Sequence, residues 1–183
     1  LKPQNFEDIV AGISLYRPGP MDFIPNYIKG KNNRDTISYV TPELEPILEP
    51  TYGCIVYQEQ VMQIVQQLAG YTMGQADNIR RAMSKQYVID AERQSFVYGD
   101  ESRGIKGCVA NGIDEKAANS IYDSMVDFAK YAFNKSHAAA YAVISVQTAW
   151  LKCYYPVEFM AALMTSVIDN STKAAEYLLH CKE

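Results

Sequence analysis

The chain has 183 residues, a hydrophobic fraction of 48%, a charged fraction of 21% and a formal net charge of −4. This length and composition suit one domain with a core, or one domain with an appended lobe, and wholesale disorder is not expected. A negative net charge argues against a protein that binds nucleic acid with its whole surface, so any phosphate site must be a local cluster of cations.

Neither a membrane segment nor a cysteine-based scaffold is predicted. No stretch approaches the length of uninterrupted apolar sequence that a membrane-spanning helix needs. The four cysteines lie far apart without a CxxC pair, which indicates reduced thiols in a cytoplasmic protein rather than a zinc ribbon or disulfide framework. The chain begins at Leu1 without a signal-like segment, and we expect it to be a fragment of a longer protein.

In chain order, the first predicted element is a helix from Phe6 to Leu15, which stops at Arg17-Pro18-Gly19-Pro20 because two prolines fix the backbone there. Residues 26–40 are polar and basic, and they are predicted to form a surface loop with a short strand near residues 37–40. The prolines at positions 42, 46 and 50 restrict helix to short pieces before Tyr52-Gly53.

The clearest helical pattern runs from about Val56 to Ala69, with apolar residues on one face and glutamines on the other, and Gly70 is expected to end it. A second helix, from about Gly74 to Lys85, places its basic residues away from its apolar side. Further helices are predicted at about 88–97, 114–133, 137–154, 157–168 and 171–181, with a flexible loop at 99–107. The fold class is therefore all-α, with few or no short strands.

Three basic side chains on the second of these helices form the first candidate site. Arg80, Arg81 and Lys85 lie within about a turn and a half, so their charged ends can converge on one polyanion, and guanidinium groups bind phosphate oxygens through paired hydrogen bonds. The alternative is an ordinary helix-surface ion pair, because Asp77 stands four residues before Arg81. Spacing alone favours this alternative.

The tetrad Asn134-Lys135-Ser136-His137 lies between two apolar helical segments and forms the second candidate site. Ser136 is a suitable N-cap for the helix that follows, and the free N–H groups of that helix end would favour an anion beside Lys135 and His137. His137 is also consistent with a plain hydrogen-bonded residue at a helix start, and spacing alone favours that interpretation.

The remaining candidates are weaker. Tyr57-Gln58-Glu59-Gln60 could face a base or sugar, although a helix start with Tyr57 in the core is the better interpretation. A nucleophilic pair of Cys54 with His137 has no support from the surrounding sequence. No close acidic pair lies in a strand-like context, so no metal ligand is assigned among Glu43, Glu45, Asp123 and Asp127.

Six groups of residues, in this order, resemble the bacterial replicative DNA polymerase III alpha subunit, a C-family DNA polymerase. They are Phe6 to Ile9, Leu15 to Met21, Pro50 to Ile64, Gly70 to Thr72 followed by Arg80 to Lys85, Phe133 to Ala139, and Tyr155 to Ala162. The resemblance covers essentially the whole chain, and several long motifs in one order are far more specific than a single short pattern. It therefore favours the phosphate interpretation over the two plainer ones.

The resemblance implies that residues 1–183 are the fingers region of such a polymerase, with an entry segment from the palm side at 1–50 and a helical core at 51–183. Arg80 and Arg81 would contact the triphosphate of the incoming deoxynucleotide (dNTP), and Asn134, Lys135, Ser136 and His137 would line the same pocket. Lys85 is included, although Gln86 follows it where family members commonly continue with lysines.

The resemblance also implies what lies outside the chain. Three palm aspartates that bind Mg²⁺ are expected upstream of Leu1, so no catalytic or metal-binding residue is predicted here and the isolated fragment is expected to be inactive. The implied partners are dNTP, primer–template DNA, the palm and replisome subunits such as the sliding clamp. The alternative is a helical protein-interaction module without a ligand site.

Overall fold

A computed structural model describes residues 1–82, 86–129 and 131–181. Within these ranges the regular structure consists of α-helices and short 3₁₀ helices with two isolated β-bridges and no strand, which confirms the all-α prediction. The α-helices are α1 (Phe6–Leu15), α2 (Ile24–Asn32), α3 (Glu45–Leu48), α4 (Gln58–Ala69), α5 (Met73–Ala82), α6 (Gln86–Tyr98), α7 (Glu115–Ala129), α8 (Lys135–Tyr154), α9 (Pro156–Ser166) and α10 (Ser171–His180).

The chain divides into two compact units, residues 1–139 and residues 140–183. The predicted organisation, one fingers region with an entry segment at 1–50 and a core at 51–183, stays a prediction. In the part of the chain that the structure describes, no helix is both long enough and apolar enough to cross a membrane.

Helix α4 forms the centre of the first unit. Its buried face carries Val61, Ile64 and Leu68 at helical spacing, each at most 2% exposed, and α5, α6 and α7 contribute to the same core. The helix ends as predicted, because Gly70 adopts a left-handed conformation with φ 79° that costs glycine little. Tyr57 lies in the core at 2% exposure, as the plainer interpretation of this helix start expected.

The loop and strand predicted for residues 26–40 are wrong. Residues Ile24–Asn32 form α2, which begins with a proline in its first turn, a position that proline tolerates well. No strand forms at 37–40. The lysines that indicated a solvated loop include Lys31, whose side chain is only 4% exposed because it pairs with the buried carboxylate of Asp8 at 2.7 Å.

In the second unit, α9 and α10 pack against each other, and Trp150 lies 5.0 Å and 5.5 Å from the rings of Tyr154 and Tyr155. The Nζ atom of Lys152 lies 2.7 Å from the ring nitrogen Nε2 of His180. Many apolar side chains of this unit are exposed, among them Val157 at 77% and Ile168 at 73%. The unit therefore has a small core for its size.

Candidate phosphate-binding site

Helix α5 holds two of the predicted phosphate ligands on its outer face. Ala76 and Ile79 are buried at 0% and 7% exposure, so Arg80 and Arg81 point away from the core. Their Nε atoms lie 2.8 Å and 2.7 Å from the two carboxylate oxygens of Asp77. The ion pair that the sequence offered as the alternative is therefore present, and it includes both arginines. Lys85 lies outside the described residues.

The start of α8 differs from its prediction in the residue that caps it. The helix begins at Lys135, and Asn134 is the N-cap because its Oδ1 accepts the N–H of His137 at 2.9 Å. Ser136 is already inside the first turn, so the prediction that it caps the helix is wrong. Asn134 occupies the N-cap position because its amide oxygen, one residue before the helix, reaches the third N–H of the first turn.

The anion expected at this helix end is supplied by the chain itself. Both carboxylate oxygens of Glu59 accept the N–H of Lys135, at 3.1 Å and 3.0 Å, and one accepts the Nδ2 of Asn134 at 3.0 Å. A carboxylate is favoured at a helix N-terminus, where N–H groups lack partners within the helix. Any external anion at these N–H groups would compete with Glu59.

The side chains of Lys135 and His137 are also engaged. The Nζ of Lys135 lies 2.9 Å from the Glu7 carboxylate and 5.2 Å from the centre of the Tyr57 ring. The His137 ring meets the ring of Phe133 edge to face at 5.5 Å. Lys135 therefore lies beside the first turn of α1 and the residue that precedes α4, and His137 packs against Phe133.

Gln58 connects the two candidate clusters. Its Oε1 accepts the Nη1 of Arg80 at 3.4 Å, and its Nε2 donates to the carbonyl of Ala132 at 3.2 Å. Its backbone N–H donates to the carbonyl of Phe133 at 3.0 Å. The structure thus brings Arg80 and the segment before α8 against one residue, although more than fifty positions separate them in sequence.

Arg17 holds the other side of this segment, and the sequence reasoning missed it. Its Nη2 donates to the carbonyl of Tyr131 at 2.8 Å, and its guanidinium carbon lies 4.3 Å from the centre of the Phe133 ring. Burial lowers the pKa of Arg17 from its usual value. Gly19 follows at φ 98°, and a Cβ there would collide with the Tyr131 ring. The turn motif was visible in sequence, but its distant partner was not.

The charges of the candidate site balance within the chain. Each of its three described cations lies within ion-pair distance of a carboxylate, and a further carboxylate covers the start of α8. The cations are Arg80, Arg81 and Lys135, and the carboxylates are Asp77, Glu7 and Glu59. A strongly charged ligand would therefore have to replace these ion pairs, or bind nitrogen atoms of the cations that the ion pairs do not use.

Two other predicted side chains, Tyr57 and Cys54, are not placed for the chemistry that the sequence suggested for them. Tyr57 is buried with a hydroxyl that has no hydrogen-bond partner among the described residues, and it presents no ring face to a base. Burial raises the pKa of the Cys54 thiol to about 11, so the thiol stays protonated at neutral pH and is a poor nucleophile. The described residues contain no group of three metal-ligating side chains placed to hold an ion.

A cavity of about 440 Å³ lies elsewhere in the first unit. Its walls include Ile64 and Ile121 beside Lys29, Tyr39 and Asp127, and none of the predicted phosphate ligands that the structure describes lines it. This mixed lining has, among the described residues, one lysine, one aspartate and no cluster of cations that would suit a triphosphate. The exposed cationic edge near Gln58 is therefore the better candidate for phosphate.

Comparison with known proteins supplies the family. Residues 1–104 match the family model described as the bacterial DNA polymerase III alpha subunit finger domain. The chain is 50% identical over 94% of its length to the DNA polymerase III subunit alpha of Pasteurella multocida. It is 48% identical over 97% of its length to the subunit of Thermus aquaticus and 47% identical over 99% of its length to that of Escherichia coli.

The family model includes Arg80 and Arg81 but ends before the segment at the start of α8. The chain spans 15%, 14% and 16% of the lengths of these three relatives. The model nevertheless matches more than half of the chain, and the similarity to the relatives extends over nearly all of it. The chain therefore belongs to the finger-domain family of bacterial DNA polymerase III alpha subunits.

Proposed function

We propose that this chain binds the triphosphate of the incoming dNTP as part of a DNA-directed DNA polymerase that acts in chromosomal replication. The proposal is supported chiefly by the contacts of Gln58, which binds both Arg80 and the backbone before α8. Arg80 and the backbone just before the second motif thus contact the same residue. Arg80, Arg81, Asn134, Lys135, Ser136 and His137 are the proposed ligands, together with Lys85.

The proposed role of the arginines is electrostatic. Attack by a primer 3′-hydroxyl on the α-phosphorus leaves negative charge on the departing pyrophosphate, and fixed guanidinium groups stabilise that charge. Magnesium ions, bound in this proposal by palm aspartates outside the chain, would supply charge at the reacting oxygens. The residues described here orient the triphosphate and neutralise its outer phosphates. The isolated chain is accordingly proposed to be inactive, with primer–template DNA and the palm as its partners.

The test uses the complete polymerase subunit that carries this sequence. We expect Arg80→Ala/Arg81→Ala to lower kcat/KM for dNTP, with a loss of about 1–3 kcal/mol for each charge-assisted contact removed. Arg34→Ala is a matched control, because Arg34 is also an exposed, carboxylate-paired arginine, at 2.7 Å from Glu49. Wild-type KM and kcat in the double variant would contradict the proposal.

The alternative is a helical interaction module in which the arginine pair is only a solvated edge. The internal pairing of Arg80 and Arg81 with Asp77 is the observation that favours it. Under that alternative, the double variant would keep its nucleotide kinetics and lose affinity for a protein partner instead. Metal-dependent primer extension by the 183-residue chain alone would show that the catalytic carboxylates lie within it.

A further inference from the structure

Asp77 lies between the two arginines of α5 and contacts both of them. One of its carboxylate oxygens accepts the Nε of Arg80 at 2.8 Å and the other accepts the Nε of Arg81 at 2.7 Å. The arginines are three and four residues further along the helix, so all three side chains lie on the same side of α5. One carboxylate therefore holds two guanidinium groups.

The nitrogen atoms used in these contacts leave a phosphate-binding edge open. A guanidinium has five N–H donors, one on Nε and four on the two terminal nitrogens. Asp77 takes the Nε donors. Within the described ranges, the terminal nitrogens of Arg81 donate no hydrogen bond, and those of Arg80 donate only the 3.4 Å contact with Gln58. A phosphate can bind these edges while Asp77 stays in place.

We propose that Asp77 is a positioning residue that holds Arg80 and Arg81 in a geometry ready for the triphosphate. This inference rests on the proposed function. Two adjacent guanidinium groups repel each other, and long arginine side chains lose rotamer freedom when a ligand binds them. A carboxylate between them offsets the repulsion and restricts both side chains before the nucleotide arrives, so less ordering remains to be done on binding.

The opposite role for Asp77 would be that of a competing anion. A carboxylate close to a triphosphate repels it, and an acid that must leave before phosphate binds would weaken binding. The geometry argues against this role, because the carboxylate occupies Nε donors rather than the terminal pair that matches two phosphate oxygens. The two roles predict opposite changes in KM when the charge of Asp77 is removed.

The experiment measures primer extension by the complete polymerase subunit over a range of dNTP concentrations. Asp77→Asn is expected to raise KM about three- to tenfold, and to lower kcat by a smaller factor, because the pre-ordering of two side chains is lost. Asp77→Glu, which keeps a carboxylate, should recover part of the loss. Asp123→Asn is the control, since Asp123 is an exposed carboxylate paired with Arg93 on other helices.

The same substitution is then made in the Arg80→Ala/Arg81→Ala background, where a residue that acts through the arginines has nothing left to position. There Asp77→Asn should leave KM unchanged. An unchanged or lower KM in the single variant, or an equal rise in both backgrounds, overturns the positioning role. If the arginine variant raises KM and Asp77→Asn does not, only the positioning role fails. If the arginine variant has wild-type kinetics, the proposed function fails as well.

Discussion

Two aspartates in the first unit each accept hydrogen bonds from more than one side chain, but in different surroundings. Asp8 is 1% exposed and accepts the Nζ of Lys31 at 2.7 Å and the hydroxyls of Tyr27 and Tyr52 at 3.1 Å each. Asp77 has a side chain that is 31% exposed. Its partner Arg81 is 71% exposed. The first network lies in the interior, and the second lies on the surface.

The difference shows what burial does to the same chemistry. Around Asp8, water is excluded, and loss of one partner leaves the other charge without compensation. Around Asp77, water replaces a lost contact at little cost, while the outward nitrogens of the arginines stay available. Breaking the buried network therefore destabilises the fold, whereas the exposed network is suited to holding side chains in place for a ligand.

The largest expected effect is on folding, from removal of the Asp8 charge. Asp8→Asn leaves the Lys31 ammonium buried without a counter-charge and gives the hydroxyls of Tyr27 and Tyr52 a weaker acceptor. We expect the free energy of unfolding to fall by about 3–5 kcal/mol, measured by urea denaturation. Asp123→Asn, which removes an exposed paired carboxylate, is the control. An equal loss of unfolding free energy in the two variants would show that a buried paired carboxylate matters no more to stability than an exposed one.

Acid titration of unfolding tests the role of the buried Asp8 charge through a smaller expected change in the unfolding free energy. Burial alone would raise the pKa of Asp8, but the contact with Lys31 and the other hydrogen bonds hold it below the ordinary 3.8. A carboxylate whose pKa is lower in the folded than in the unfolded state stabilises the protein at pH values above its unfolded-state pKa. That contribution is lost as the pH falls through the folded-state pKa. Below about pH 4, the unfolding free energy should therefore drop more steeply with falling pH in the wild type than in Asp8→Asn.

An intermediate case lies at the start of α8, where Glu59 is half-buried. Glu59→Ala leaves the N–H of Lys135 and the Nδ2 of Asn134 without their acceptor. We expect a loss of about 0.5–2 kcal/mol in unfolding free energy, as for other lost helix caps. Glu59→Gln should lose less, because one acceptor oxygen remains. Equal losses in the two variants would mean that the contact is purely a charge effect.

The sequence was sufficient where the pattern is local. The bounds of α1 were predicted correctly, and α4 was predicted with its glycine end, because helical periodicity and a left-handed terminal glycine depend on neighbouring residues only. The sequence was insufficient for α2. Its lysines predict a solvated loop unless it is known that Lys31 forms an ion pair with Asp8. That ion pair is a tertiary contact, and one sequence does not reveal it.

The candidate site follows the same division. Arg80 and Arg81 were expected on an exposed helix edge, and they lie there. The sequence predicts Ser136 as the cap although Asn134 also has capping chemistry, and only the position of the first helical turn decides between them. Gln58 joins the two clusters through partners that are distant in sequence, so its role could not be predicted. The ligand roles themselves stay predictions until nucleotide kinetics are measured.

The smallest expected effect on folding is that of Asp77→Asn. The carboxylate is partly solvated, and hydrogen bonds from Arg80 and Arg81 lower its pKa against the opposing effect of burial. Water can take over its contacts when the charge is lost, so the urea midpoint should match that of the wild type within measurement error. The same variant is expected to raise KM for dNTP, whereas a residue that served only the fold would change stability and kinetics together. A lower urea midpoint that accompanied the rise in KM would place Asp77 with Asp8 as a stabilising residue and remove the contrast between the two networks.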